Sequence, residues 1–422
     1  MRAMFIRRRQ LAAVVVGALI ALPGVLGAPA QAAPTNGGSH GGGGGHGGGG
    51  GGHDGGGDRG SQAESWGYNS VGQLGIGTVG NLEFRPTAVT VAGPHTVRSV
   101  SAGGEHGLAL LSNGTVKAWG SNEFGQLGDG TQTSRPIPGS VAGLSGVKAI
   151  AAGGYFNLAL LEDGTLRAWG LNFYGQLGDG TTTDRTVPVQ VDGLPGRVTA
   201  IAAGQGTALA LLANGTVLAW GSNTRGQLGQ GDADDGPHPV PLEVGLPQRA
   251  TSIGAGLFHS LAVLADGSVR GWGANFTGQL GIGNFVSPQT SPVATVGLTG
   301  VRVKSLDGGF GHTVALLTNG RVKAWGSNAS GQLGDGTNTT RLTPVDVLGL
   351  TRVTAVAAGY DGASNSGHSL AIARGGVLAW GANRVGQLGI GDRGSTNRAE
   401  AVVTSLDPAR SISGGSEFSL AS

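Results

Sequence analysis

The amino-acid sequence predicts an all-β fold: a seven-bladed β-propeller of four-stranded blades, its ring closed by N- and C-terminal strands sharing one blade. Three observations predict it. The string W-G-x-N-x-x-G-Q-L-G-x-G returns seven times in 422 residues. Between its copies lie short β-rich runs joined by two-residue Asn-Gly or Asp-Gly turns. The C-terminal residues supply the half-unit that the first copy lacks.

The chain opens on a segment that is not part of the fold. Arg7, Arg8 and Arg9 precede an uncharged apolar run from Leu11 to Gly27, and Ala28-Pro29-Ala30-Gln31-Ala32-Ala33 follows. A basic start, an apolar stretch and an A-x-A exit describe a secretory signal peptide, residues 1–33. Cleavage is expected after Ala32 or Ala33, with Ala30 as the alternative. Pro23 and Gly24 break the apolar run, which is shorter than the ~20 residues of a membrane span. Arg8-Arg9 also hints at twin-arginine export. The protein is therefore expected to be secreted, extracellular or wall-associated, with no membrane span after cleavage.

Residues 34–64 form a Gly/His-rich leader that cannot bury apolar surface and is expected to be disordered. His40, His46 and His53 are metal-ligand types, but the chain around them fixes no geometry, so a spacer is the expected role.

From residue 65 to residue 422 the repeats take over. The seven tryptophans of the chain are Trp66, Trp119, Trp169, Trp220, Trp272, Trp325 and Trp380, spaced 53, 50, 51, 52, 53 and 55 apart. A fixed period of this size marks a repeat architecture. Ahead of Trp119, Val97–Ser101 and Gly107–Leu111 are β-rich; Asn113-Gly114 is a hairpin turn, and Thr115–Trp119 follows as a third strand. The same turn recurs at Asp163, Asn214, Asp266 and Asn319. A proline-containing segment such as Pro188–Val191 supplies a fourth strand at the sheet edge, where a missing N–H costs nothing. Four antiparallel strands repeated radially make a propeller blade. The first unit starts at its third strand, and Ile412–Ala421 matches the missing half, which closes the ring without a free edge.

Composition narrows the chemistry. The chain has no cysteine, which excludes disulfides, zinc-thiolate and iron–sulfur sites and thiol catalysis. Glycine supplies 86 residues without a three-residue period, so a collagen is excluded and a helical protein is disfavoured. Residues 1–33 hold four of the 27 basic residues and no acidic one, which leaves 23 against 25, a net charge of −2. That balance gives no support for nucleic-acid binding. Gly75–Gly80 spells G-x-G-x-x-G, but no helix follows it. Asp129, Asp179 and Asp335 lack the further carboxylates of a calcium loop. No zinc-protease motif or nucleophile elbow is present. No catalytic residue, metal site or cofactor is expected, and the protein is not expected to be an enzyme.

These strings resemble the regulator of chromosome condensation repeat family, whose units of about fifty residues read A-G-x-x-H-x-L-A-L … D-G-x-V-x-x-W-G-x-N-x-x-G-Q-L-G. The resemblance covers about Ser65 to Ser422 and implies a seven-bladed propeller with a split blade. The family's nuclear namesake exchanges guanine nucleotide on a GTPase, but this chain carries an export signal and no basic tail or wedge-like insertion. A secreted propeller of the family that inhibits β-lactamases is similar in export and ring closure, although its repeats are nearer forty residues.

The repeated residues are expected to be architectural. The tryptophans should pack between blades. Asn69, Asn122, Asn172, Asn223, Asn275, Asn328 and Asn383 should bond loop backbone, together with their glutamines. His106, His259, His312 and His368 share one position with Phe156, Thr207 and Phe418, and should donate to turn backbone. The variable residues are the candidate binding site: Phe124, Phe173, Tyr174, Arg225 and Phe276 after the asparagines, and Tyr155, Phe258, Phe310 and Tyr360 on the G-x-x-H turns. Equivalent turns share a face, and aromatic and Arg side chains on a rigid frame are what interfaces use as anchors. Asp232–His238 is an acidic loop, and Tyr360–Ser366 an insertion. A monomer that binds an extracellular protein through one loop face is expected, with cell-wall glycan as the alternative partner.

Overall fold

The computed structural model describes residues 62–80, 83–93, 95–361, 366–402, 406 and 408–422. The expected signal peptide, the glycine leader up to residue 61 and the centre of the Tyr360–Ser366 insertion lie outside them. The described residues form seven four-stranded antiparallel sheets, with no helix among them. In the blade around Trp119 the strands run Val97–Ala102, His106–Leu111, Val116–Gly120 and Arg135–Ser140, from innermost to outermost. The split blade is ordered Phe84–Thr90, Glu64–Tyr68, Phe418–Ala421, Ile412–Gly414. Both ends of the chain therefore share one sheet, with Glu64 opposite Ala421 and Gly67 opposite Phe418.

The outer strands differ from the sequence reading. The one expected at Pro188–Val191 spans Arg185–Gln190 and carries a bulge between Arg185 and Val189. Pro188 falls inside the bulge, where no ladder bond is required of it.

Adjacent blades are joined by a repeated bond. Each tryptophan is fully buried, removing roughly 150–250 Å² of side chain from water. Its Nε1 donates to the glutamine carbonyl of the preceding blade: Trp119 to Gln73 at 2.9 Å, Trp169 to Gln126 at 3.0 Å, and Trp325 to Gln279 at 2.9 Å. Trp66 donates to Gln387 at 2.9 Å, so the same bond seals the ring. The glycine after each tryptophan is required by the backbone. Gly120 has φ +101°, and a Cβ there would lie 2.5 Å from the Glu105 carbonyl oxygen.

The histidines contact a different group from the one expected. Their Nε2 atoms meet side chains of the next blade rather than turn backbone: His106 with Asn157 (2.7 Å), His259 with Thr313 (3.1 Å), His312 with Ser369 (3.0 Å) and His368 with Ser419 (2.9 Å). Each of these partners in turn donates to a glutamine carbonyl, Thr313 to Gln279 at 2.8 Å for example. A hydroxyl has one proton, and it is committed to a carbonyl that can only accept. Histidine Nε2 must therefore be the donor, which leaves Nδ1 as a bare lone pair. The turn backbone needs no histidine, because Gly103 N–H already donates to the His106 carbonyl at 2.9 Å. Burial holds the four rings neutral, His106 and His368 down to about 4 and His259 and His312 down to about 3. Where the position is Phe156 or Phe418, the next blade offers Ala208 or Gly107 instead of a polar side chain.

The inner strands surround a central cavity of about 220 Å³, lined by small residues such as Ser101, Ala202 and Gly254. Ser101 Oγ accepts the Ala152 N–H at 2.9 Å, tying one inner strand to the next. Asp307 fills the equivalent place and accepts the Ala358 N–H at 2.9 Å. Burial pushes its carboxyl up to about 7, against the pull of the Ala358 and Gly308 N–H groups.

Candidate functional site

Two loops from every blade reach the same end of the ring, the turn between the first two strands and the W-G-x-N-x-x-G-Q-L-G loop after the third. The asparagine organises the second loop from inside. Asn172 Oδ1 accepts Leu177 N–H at 2.9 Å, while its Nδ2 donates to the Thr181 and Thr183 carbonyls at 3.0 and 3.1 Å. Asn69, Asn122, Asn223, Asn275, Asn328 and Asn383 accept the matching N–H of Leu74, Leu127, Leu228, Leu280, Leu333 and Leu388. The glutamine then grips the second variable residue: Gln126 Oε1 accepts Phe124 N–H, Gln176 accepts Tyr174, and Gln227 accepts Arg225, at 2.9, 2.9 and 2.7 Å. Asp179 and Asp335 close the loop base through Arg185 and Arg341, each pair at 2.7 Å. The variable side chains are thus mounted on a frame fixed by its own polar groups.

Phe173, the first variable residue of its loop, faces outward, whereas Phe124, the second of its own loop, turns toward the neighbouring blade. Phe173 is 41% exposed, whereas Phe124 is 8% exposed. Phe124 packs edge-on against Tyr155 of the next blade, ring centroids 5.4 Å apart. Phe173 and Tyr174 form a perpendicular pair at 4.8 Å, and Gly206 leaves room beneath the Tyr174 ring, where a Cβ would stand 3.4 Å from it. Phe310 links Phe258 and Phe276 at 6.2 and 6.1 Å, with Phe258 buried and Phe276 and Phe310 half-buried. Arg225 lies half-buried on the blade between these two groups. The aromatics therefore form three separate clusters, because several turns carry glycine at the matching place. Phe156 is fully buried in the core.

Tyr360 lines the channel mouth, where a Cβ on Gly104 would lie 3.1 Å from its hydroxyl. Its chain continues into the split blade: Tyr360 N–H donates to the Gly415 carbonyl at 3.1 Å, and its own carbonyl accepts the Glu417 N–H at 2.9 Å.

Carboxylates gather among these rings; Glu105, Glu123 and Glu417 were not singled out by the sequence. Burial raises Glu105, with Glu123 nearby adding to the effect. Burial and the charges of these carboxylates hold the Tyr155 hydroxyl protonated, and burial raises Tyr174 with Asp235 contributing. Glu417 is pushed up to about 7, first by burial and then by Asp361. Arg384 bridges the two, contacting Asp361 at 3.0 Å and also Glu417. Glu105 and Glu417 occupy the turn position that Tyr155 and Phe258 hold in other blades, a column visible in the repeats. The acidic loop joins the same surface: His238 N–H donates to the Tyr174 carbonyl at 2.9 Å, and its ring pairs with Asp234 at 3.1 Å. Among the described residues no three His, Asp or Glu side chains are gathered as metal ligands would be. The arrangement presents outward-facing aromatic edges, protonated phenols and an acidic rim on a rigid base.

Comparison with known proteins agrees with this architecture. The family model described as RCC1-like domain matches residues 62–421. The Arabidopsis thaliana Ultraviolet-B receptor UVR8 is 36% identical over 201 residues, 47% of this chain and 44% of that protein. The human probable E3 ubiquitin-protein ligase HERC3 is 40% identical over 336 residues, 77% of this chain and 31% of that protein. This chain thus spans less than half the length of either. Among solved structures, yeast RCC1 (Prp20) bound to Kap60 superposes with a TM-score of 0.76 at 22% identity, covering 86% of this chain and 89% of that one. Human WBSCR16 gives 0.73 at 22%, covering 85% and 98%. At that identity these structures establish the fold alone.

Proposed function

The chain belongs to the RCC1-like domain family, and on that premise we propose that it is an exported, non-enzymatic propeller that binds another extracellular protein through its aromatic loop face. The observation that carries this reading is the segregation of side chains. Every described Phe and Tyr lies at the end of the ring formed by the turn and asparagine loops, with Phe173 turned outward. Interfaces take their binding energy from such anchors when they are set in a polar rim. The half-buried Arg225 and the carboxylates Glu123 and Asp235 supply that rim. Similarity to the secreted family propeller that inhibits β-lactamases is part of the proposal; nucleotide exchange is not, since residues 1–33 read as an export signal.

The test is capture from secreted and surface fractions with the mature protein, compared with a Phe173→Ala/Tyr174→Ala/Arg225→Ala variant that retains the wild-type melt. The reading expects a discrete protein held by the wild type and reduced at least tenfold by the variant. Equal capture by both would overturn it. Retention on protein-free purified cell wall, lost in the variant, would replace the protein partner with glycan.

A further inference from the structure

The opposite side of the ring is built from the hairpins between second and third strands and from the segments leading into each inner strand. Each blade places a cation there, beside the channel mouth. Arg197, Arg249, Arg302 and Arg352 immediately precede the inner strands Val198–Ala203, Ala250–Ala255, Val303–Gly308 and Val353–Tyr360. Arg98 and Lys148 are the second residues of Val97–Ala102 and Val147–Ala152, and Arg410 holds that place in the split blade. All seven are exposed.

The repeat frame fixes the four arginines. Each hairpin glycine accepts the first N–H of the next inner strand: Val198 to Gly164, Ala250 to Gly215, Val303 to Gly267 and Val353 to Gly320, at 3.0, 2.8, 3.3 and 3.0 Å. The arginine stem lies over that glycine, where a Cβ on Gly164 would fall 2.2 Å from Arg197 Cγ. The nearby hairpin acids Asp163 and Asp266 bond their own turns, through Thr165 and Ser268. Among the described residues the ion pairs on this side join Arg321 and Lys323 to Asp346, and none involves the seven.

Arg197 also donates to the Glu162 carbonyl at 2.7 Å, and its charge helps hold Asp163 low. This side carries a ring of exposed positive charge around that pair, and such a ring concentrates anions at the channel mouth. It has no described Phe or Tyr, so it lacks the aromatic anchors of a protein interface and the platforms that stack single-stranded bases. What remains is regularly spaced positive charge, mostly arginine, whose fork matches phosphate oxygens. We propose that this face binds a linear phosphate-bearing polymer by charge, independently of the aromatic face.

The test uses the full mature protein and fluorescent long-chain inorganic polyphosphate, with affinity measured by anisotropy between 50 and 200 mM salt. Binding is expected to weaken steeply with salt. R197Q/R249Q/R302Q/R352Q should lower affinity at least tenfold and reduce the log–log salt slope by about three, as expected for four lost phosphate contacts. R225Q, on the aromatic side, should leave both unchanged. If the fourfold variant melts early, the single variants R98Q, R249Q and R410Q should each lower the slope by about one. Competition with duplex DNA of equal charge separates the sources: displacement favouring DNA assigns a nucleic acid, and displacement favouring polyphosphate a non-nucleic phosphate polymer. Salt-independent binding, an equal loss in R225Q, or tighter binding of poly-glutamate or anionic lipid vesicles would overturn the proposal.

Discussion

His106, His259, His312 and His368 should make the ring acid-sensitive, by an amount that follows from their burial. Each is depressed from the ordinary 6.5 to about 3 or 4, so the fold holds it neutral while the unfolded chain takes up a proton. A depressed histidine contributes stability that is full above 6.5 and lost as pH falls below it. Between pH 7 and pH 5 linkage gives a loss of about 2 kcal/mol per histidine, or about 8 kcal/mol for four. Asp307 works the other way: a carboxyl raised to about 7 recovers about 2 kcal/mol over the same interval. Glu417, also raised, adds in that direction. The net loss of a few kcal/mol is a large fraction of the stability of an ordinary domain, ~5–15 kcal/mol. The chain itself suggests the perturbation. Phe156 faces Ala208 where His312 faces Ser369, so H312F/S369A installs a pairing the ring already uses. Urea unfolding followed by tryptophan fluorescence at pH 7 and pH 5 should show the pH-dependent loss reduced by about 2 kcal/mol in this variant. A variant that loses stability with acid as steeply as the wild type would refute the assignment of that loss to buried histidine.

Two further outcomes follow from the same contacts. D307S should raise stability at pH 8 by up to about 4 kcal/mol, the equivalent of a shift of three units, because serine can accept the Ala358 N–H as Ser101 accepts that of Ala152. A raised carboxyl favours the fold below its unfolded value and loses that contribution as pH rises through 7, so the gain should disappear toward pH 4 in denaturant titrations. W66F removes the donor that seals the ring to Gln387 and trims a fully buried ring, and should cost roughly 1–3 kcal/mol in the same assay.

The fold was legible because the repeat carries its own register. The Trp-Gly pair marks the end of each third strand, the Asn-Gly and Asp-Gly turns mark the hairpins, and the unpaired halves at the two ends meet in one blade. The outer strands were less legible, since Pro188 sits in a bulge whose extra residues shift the pairing. At the candidate site, sequence placed the variable residues on one face but did not separate outward from inward ones. Phe124 and Phe173 both follow an asparagine, yet Phe124 packs edge-on against Tyr155 of the next blade while Phe173 stays exposed. The histidine contacts had a readable signal that composition hides: histidine precedes Asn157, Thr313, Ser369 or Ser419 one blade on, whereas phenylalanine precedes Ala208 or Gly107. The charge pattern was obscured in the same way. A net charge near zero averages an acidic, aromatic end against an arginine-rich one, and the difference emerges only when each cation is assigned its place in the blade.

The central claim, that the aromatic loop face is where a partner sits, is tested most directly by site-specific photocrosslinking in the full-length protein expressed in its own cells. A photoreactive residue replacing Phe173 is set against one replacing Arg352 on the opposite side. The account predicts a discrete protein adduct from position 173 and none from position 352. Adducts of the same protein from both positions, or from 352 alone, would contradict it.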